Sequence, residues 1–165
     1  MRRRFLLQLA VCLTLGLMAG CQSAKQPEYQ PLTARFFLEV RPGDAGVPLQ
    51  LPVSGVTIMV GAKAVLVEYD LVNAELAKLD LGPCLLLQLS PAATRDLYRL
   101  SVTSLGRRLV LVLNDAPVGA RRIEQAMPDG AIPVFVEAAD AELPSLVMRL
   151  KRTSADIAAA AGKSF

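Results

Sequence analysis

Apolar and polar residues alternate along most of this chain with a period of two, and two late stretches carry the spacing of amphipathic helices. Phe36, Leu38 and Val40 alternate with Phe37 and Glu39, which predicts a strand beginning at Arg35. Pro42, Gly43, Gly46, Pro48 and Pro52 predict a loop over 41–52. Val56, Ile58 and Val60 predict a second strand and Ala64 to Tyr69 a third, joined as a hairpin through Gly61-Ala62. Asp70 to Leu81 reads as a short helix lined by Leu71, Leu76 and Leu79, capped by Asp70 and stopped at Gly82-Pro83.

Leu85, Leu87 and Leu89 follow in a strand that is apolar on both faces and therefore central. Ser90 is a good N-cap, and Pro91 suits the first helical position, where its missing N–H costs nothing. Leu97, Leu100 and Ser104 line one face of that helix; Tyr98, Val102 and Leu105 widen its apolar stripe, and Gly106 ends it. Leu109 to Leu113 predicts a second doubly buried strand, with a hairpin turn at Asn114-Asp115 and a short return strand to Ala120. Arg121 to Gln125 reads as one helical turn. Ile132, Val134 and Val136 form a strand that Pro133 places at an edge or bulge. Asp140 is positioned to cap a last helix with Pro144 in its first turn and Leu143, Leu146, Val147 and Leu150 on its buried stripe. Arg149, Lys151 and Arg152 then complement the dipole at its end. From Cys84 to Arg152 the order is strand, helix, strand, short strand, strand, helix. That order predicts an α+β fold, a ferredoxin-like sandwich whose four-stranded antiparallel sheet carries two helices on one face, preceded by an N-terminal β segment.

The chain opens with Arg2, Arg3 and Arg4, an apolar run from Phe5 to Ala19, and Leu17-Met18-Ala19-Gly20-Cys21. Charge, short apolar core and small residues before a cysteine follow the order of a secretory signal. The closing pentapeptide resembles the lipobox of bacterial lipoproteins. The resemblance implies cleavage before Cys21, a diacylglycerol on its thiol and an acylated new amino terminus. Its apolar part, about 15 residues, is short of the roughly 20 that span a bilayer. The expected organisation is a signal at 1–20, a Pro- and Gln-containing tether at 21–34, one α+β domain at 35–152 and an Ala-rich tail at 153–165, read as a helical extension or a frayed end. A protein anchored in this way faces the periplasm. Gln22 rather than Asp after the cysteine favours the outer over the inner membrane.

Charge and cysteine content agree with that organisation. The net charge of +3 comes from the three leading arginines, so the rest carries 15 basic and 15 acidic residues. A balanced surface argues against nucleic-acid binding and against a polybasic membrane patch. Cys12 falls in the signal and Cys21 is the lipidation site. Cys84 is then alone, with no intrachain disulfide partner, and reads as a small buried hydrophobe.

The stretch Leu85 to Leu150 resembles the head region of the large periplasmic domain of SecD, a subunit of the bacterial protein-export machinery. The matching features are Leu85-Leu86-Leu87-Gln88-Leu89, the helix Ala92 to Leu105, and Gly106-Arg107-Arg108-Leu109-Val110-Leu111-Val112-Leu113-Asn114. Ala116-Pro117-Val118 and the turn at Asp129-Gly130 follow. The resemblance implies the fold of that head and contact with unfolded exported chains. SecD's membrane-spanning helices and their proton-conducting residues have no counterpart after residue 21, so the reading is a stand-alone lipoprotein and not a translocase.

The chain contains no histidine, which removes Ser-His-Asp and Cys-His catalysis and most zinc sites. No Ser-x-x-Lys, Gly-x-Ser-x-Gly or phosphate-cradling glycine loop occurs, and no cofactor is implied. Glu137, Asp140 and Glu142 read functionally as a cation site or acid/base pair, and structurally as acids at a helix start; the structural reading is preferred. Arg107, Arg108, Arg121 and Arg122 flank one hairpin. They read either as a basic patch for phosphates, carboxylates or an acidic partner, or as solvated strand edges. The edge strand Ala131 to Glu137 is a further candidate for peptide addition, which Pro133 disfavours. The expected function is a non-enzymatic envelope protein, attached to the membrane through lipid on Cys21, that binds a protein or peptide. The alternatives are an enzyme of the cell wall or envelope lipids, and a structural part of an outer-membrane assembly.

Overall fold

The computed structural model describes residues 29–162; the leading arginines, the apolar run and Cys21 lie outside the described residues. The elements are β1 Ala34–Leu38, β2 Val47–Gln50, β3 Thr57–Val60, β4 Leu71–Leu79, β5 Gly82–Leu89 and α1 Pro91–Thr103, then β6 Arg108–Leu113, β7 Ala116–Arg122, β8 Ala131–Val134 and α2 Leu143–Ala160. Pairing is antiparallel throughout, in two three-stranded sheets, β1-β6-β7 and β4-β5-β8, and the two-stranded ribbon β2-β3.

The α+β class is as expected, but the strand order is not that of a ferredoxin-like sandwich. In a split βαβ unit, the strands joined by the helix share one sheet. Here α1 joins β5 to β6, which belong to different sheets, and no single four-stranded sheet contains the run. The two sheets touch at one place. Gly119 of β7 bridges Val136 just beyond β8, and the Glu137 amide donates to the Val118 carbonyl at 2.7 Å. A Cβ at Gly119 would overlap the Phe135 carbonyl oxygen, so a glycine is needed for this approach. The contact does not extend into a ladder, and Pro133 supplies the reason. Leu89 donates to Gly130, so in the same register Leu87/Ile132 and Leu85/Val134 are the bonded pairs of β5 and β8. Pro133, between them, directs its ring nitrogen away from β5 and toward β7, where it has no N–H to offer.

Both helices pack on one core. Leu97 of α1 and Leu150 of α2 join Phe36, Leu85, Leu87, Leu109, Leu111, Ile132 and Val134 in a single buried cluster. A second cluster lies behind β6, where Val110 and Val112 pack against Ile58 and Val60 of β3 and Leu51. β6 is therefore buried on both faces, as its unbroken apolar run predicts. β5 is central, between β4 and β8, but less fully covered: Leu85, Leu87 and Leu89 are buried on one face, and on the other Cys84 is buried while Leu86 and Gln88 are half-buried.

Several local expectations hold. Ser90 caps α1 by accepting from the Ala93 amide at 3.3 Å, with Pro91 following. Asn114 and Asp115 turn the β6–β7 hairpin, both with positive φ (45° and 68°), the signature of a two-residue turn matched to strand twist. Others are corrected. Residues 71–79 are strand β4 rather than a helix, because pairing with β5 overrides the helix propensity of Leu, Ala, Glu and Lys. β3 pairs upstream with β2, inside the predicted loop, and not with 64–69. Of that segment Leu66 makes one bridge, to Phe36. Arg121 and Arg122 extend β7 and form no helical turn. Asp140 begins a short 3₁₀ turn and makes no side-chain cap to α2. Of the two readings of residues 153 onward the helical extension is found: α2 continues through Thr153 to Ala160, burying Thr153, Ser154 and Ala158. Tyr29 to Thr33, assigned to the tether, are ordered against α2: the Leu32 amide donates to Thr153 Oγ1 at 2.8 Å, and Leu32 is buried.

Polar clamps fix these layers. Arg108 grips Glu39 with Nη2–Oε1 2.6 Å and Nε–Oε2 3.0 Å, and the Arg108 amide adds a third bond at 2.9 Å. Arg35 grips Glu68 in the same two-pronged way, at 2.9 and 3.1 Å. Glu137 Oε2 accepts the Val53 and Ser54 amides at 2.7 and 2.9 Å, tying the β2–β3 turn to the end of β8. The hydrogen bonds from Arg108, Arg35 and Ser54 hold Glu39, Glu68 and Glu137, respectively, below the usual carboxylate range.

Two predictions follow from the layering and the clamps. Leu111→Asp places an unpaired charge in the larger core, costing more than the several kcal/mol by which a small domain is stable. The variant is expected to lose its cooperative thermal transition in circular dichroism, and a soluble, cooperatively melting Leu111→Asp would contradict the central position of β6. The depressed carboxylates contribute stability above their unfolded pKa, about 4.3, and that contribution is lost as pH falls through their folded values. Glu39→Gln should cost about 1–2 kcal/mol at pH 7, the range for a charge-assisted bond discounted for partial exposure. It should also flatten the fall in Tm between pH 5 and pH 3, whereas an unchanged pH profile would show that the Arg108 clamp is not a source of the acid sensitivity.

Candidate functional site

The four arginines singled out by their spacing do not form one patch. Arg108 is consumed by Glu39, and Arg107 donates from Nε to the Glu39 carbonyl at 2.6 Å, so both serve the junction of β1 and β6. Arg121 is half-buried and faces Glu124 at 3.8 Å. Arg122 is exposed at the end of β7. The last two line a cleft of about 530 Å³ that opens where β7 and β8 diverge, with Pro133 and Ala131 on the opposite wall.

The loop between those strands closes the cleft, and buried groups hold the loop in place. Ile123 is fully buried; its amide donates to the Arg107 carbonyl and its carbonyl accepts from Gly106. Ser101 on α1 is buried without exposure, donates to the Tyr98 carbonyl and accepts the Met127 amide at 3.0 Å. Glu124 to Asp129 thus stand as a fixed ridge. On its far side a second cleft, about 360 Å³, is lined by Thr94, Arg95, Tyr98, Arg99 and Pro128. Pro128 belongs to both walls.

Sequence reasoning placed Tyr98, Val102 and Leu105 in the buried stripe of α1. The structure exposes them, at 47%, 48% and 57%. The buried stripe is narrow, Ala93, Leu97 and Ser101, because α1 rests on the sheet along a single line. A tyrosine and a ridge proline between arginines form the kind of surface that anchors protein partners. The signal available beforehand was Tyr98 itself, between Arg95 and Arg99 on the polar side of the helix.

Other candidates resolve differently. Glu137 is spent on Val53 and Ser54, and among the described residues no group of three acids or cysteines is placed to hold a metal ion. Asp140 and Glu142 are exposed in the turn before α2. Cys84 is fully buried, and burial pushes its thiol pKa up, partly offset by Arg121. Glu124 and Asp129, the acids of the larger cleft, are both exposed. Among the described residues no helix is long and apolar enough to cross a membrane.

No protein-family model and no curated protein sequence matches the chain. Solved structures do. A structure of SecDF, described as a membrane component that enhances protein export, superposes with a TM-score of 0.57 at 19% identity, over 74% of this chain and 63% of that one. SecDF in a super-membrane-facing form gives 0.59 at 19% identity, over 74% of this chain and 19% of that one. A translocon-associated SecDF from Thermus thermophilus gives 0.50 at 18% identity, over 76% and 20%. The chain spans less than two thirds of each of these proteins. At such identities the likeness is one of fold: this α+β domain shares the fold of part of SecDF.

Proposed function

We propose that this protein is a lipid-anchored component of the bacterial envelope, held through Cys21 and most at home at the outer membrane, whose domain binds extended polypeptide without catalysing a reaction. The observation that carries the reading is the fold shared with SecDF over 74% of the chain. The role in export belongs to SecDF; here it motivates the choice of an unfolded polypeptide as partner. The surface suited to it is the ridge Glu124 to Asp129 with Tyr98, Pro128 and Arg122 around it. It is anchored through Ile123 and Met127, mixed in charge and lined by a cleft on each side, so a chain laid along it would meet a surface already partly held in place.

Binding can be read directly with a fluorescently labelled, permanently unfolded polypeptide titrated against the protein by anisotropy. Saturable binding is expected, weakened about fivefold to tenfold by Tyr98→Ala or Arg122→Glu, which is roughly 1–1.4 kcal/mol. Absence of saturation, or equal affinity in both variants, would remove the polypeptide reading. The anchor has its own test. Cys21→Ala should abolish palmitate incorporation and leave the signal uncleaved by the lipoprotein pathway; label persisting in that variant would place the acyl group elsewhere.

A further inference from the structure

The cations of α2 are not where an end-of-helix role would put them. Arg149, Lys151 and Arg152 sit in the middle of an 18-residue helix, two turns short of its end, and no basic residue occupies the last turn. Among the described residues none of the three makes an ion pair with a carboxylate. Instead, two of them meet the incoming chain. Arg149 donates from Nε to the Gln30 carbonyl at 3.3 Å, and the Arg152 guanidinium covers the Tyr29 ring at 4.1 Å. Tyr29 is also held by its hydroxyl, which donates to Thr153 Oγ1 at 3.1 Å. The point where the described chain begins is thereby fixed beside the basic turn of α2.

That point lies close to Cys21 along the chain. Seven residues, 22–28, separate Cys21 from Tyr29. Fully extended they reach at most about 28 Å, and an ordinary flexible peptide of that length covers about half as much. On the proposed lipid anchor, the membrane surface can therefore never be far from Tyr29. The nearest exposed helix face carries Met148, Lys151, Arg152 and Ala155, spaced three and four apart. Met148 is 65% exposed, an apolar side chain flanked by two cations. Lys151 and Arg152 thus stand on a face close to where the chain enters the fold, with exposed Asp156 at its margin.

We infer that this face of α2 docks on anionic lipid headgroups and sets the orientation of the domain on the membrane. The inference rests on the proposed anchor at Cys21. Lys151 and Arg152 meet phosphate oxygens, Arg149 and Arg152 keep the Tyr29 segment closed against the helix, and Met148 enters the interface. Each basic side chain at an anionic surface shifts such an equilibrium roughly fivefold. Leu81, 85% exposed in the β4–β5 turn, lies outside this face and serves as the control position.

The test uses the acylated full chain carrying Ala155→Cys, reconstituted in vesicles of phosphatidylcholine or of phosphatidylcholine with a quarter phosphatidylglycerol. Maleimide modification of Cys84 is suppressed by burial, so position 155 is the reporter. Its modification is expected to slow about tenfold on the anionic vesicles and to recover with Lys151→Glu/Arg152→Glu or in high salt, where screening shortens the reach of the charges. A Leu81→Cys reporter should react equally on both vesicles. Equal rates at position 155 on the two vesicles, with acyl mass confirmed on the intact protein, overturn the docking and leave the anchor standing. Absence of acyl mass overturns both, because the short reach from Cys21 is the premise.

Discussion

The structure depends on a single strand being buried on both sides. Leu109, Leu111 and Leu113 of β6 face the core shared with α1 and α2, and Val110 and Val112 face the β2-β3 ribbon. A strand with no polar face needs two covering layers, since each buried Leu or Val is worth roughly 1.5–3 kcal/mol relative to exposure. If the ribbon left, one row would meet water; if the helices left, the other would. The polar clamps at Glu39–Arg108 and Glu137–Val53/Ser54 are worth less than that burial, being partly exposed. Their contribution is register: the first aligns β1 with β6 and the second ties the β2–β3 turn to the segment beyond β8, while apolar burial decides that the ribbon sits on β6 at all.

The same packing explains why the sheet is split and what the split produces. β7 and β8 approach closely only where Gly119 has no side chain, and Pro133 offers no donor beyond that point. The strands diverge, and the connection between them must cross back under α1. Buried Ser101 and Ile123 hold that connection, so Glu124 to Asp129 form a fixed feature and not a loose loop. The resulting ridge, with Tyr98 exposed beside it, is the surface assigned here to a polypeptide partner.

The two surfaces proposed here are built from different elements. The basic turn of α2 is tied to the beginning of the described chain through Thr153, Arg149 and Arg152. The ridge belongs to the β7–β8 connection and α1. On the proposed anchor and the proposed partner, docking of the α2 face would leave the ridge open.

What the residues alone decided was local. The Ser90-Pro91 helix start, the Asn114-Asp115 turn, the doubly apolar β6 and the start of α2 near Pro144 each depend on neighbours a few positions away, and each is found as read. The non-local choices were not legible. β4 is written in helix-forming residues and becomes a strand because β5 is available to pair with it. β2 hides among prolines, its Pro48 tolerated because the ribbon leaves one edge of that strand unpaired. Arg107 and Arg108 looked like a surface patch until Glu39, 69 residues away from Arg108, was placed beside them. The exposure of Tyr98 depended on how wide a strip of sheet lies under α1, and the meaning of Arg149 to Arg152 on where the chain enters the fold. Periodicity records which side of an element is apolar; only the packed structure decides what that side meets, because the partner comes from distant sequence.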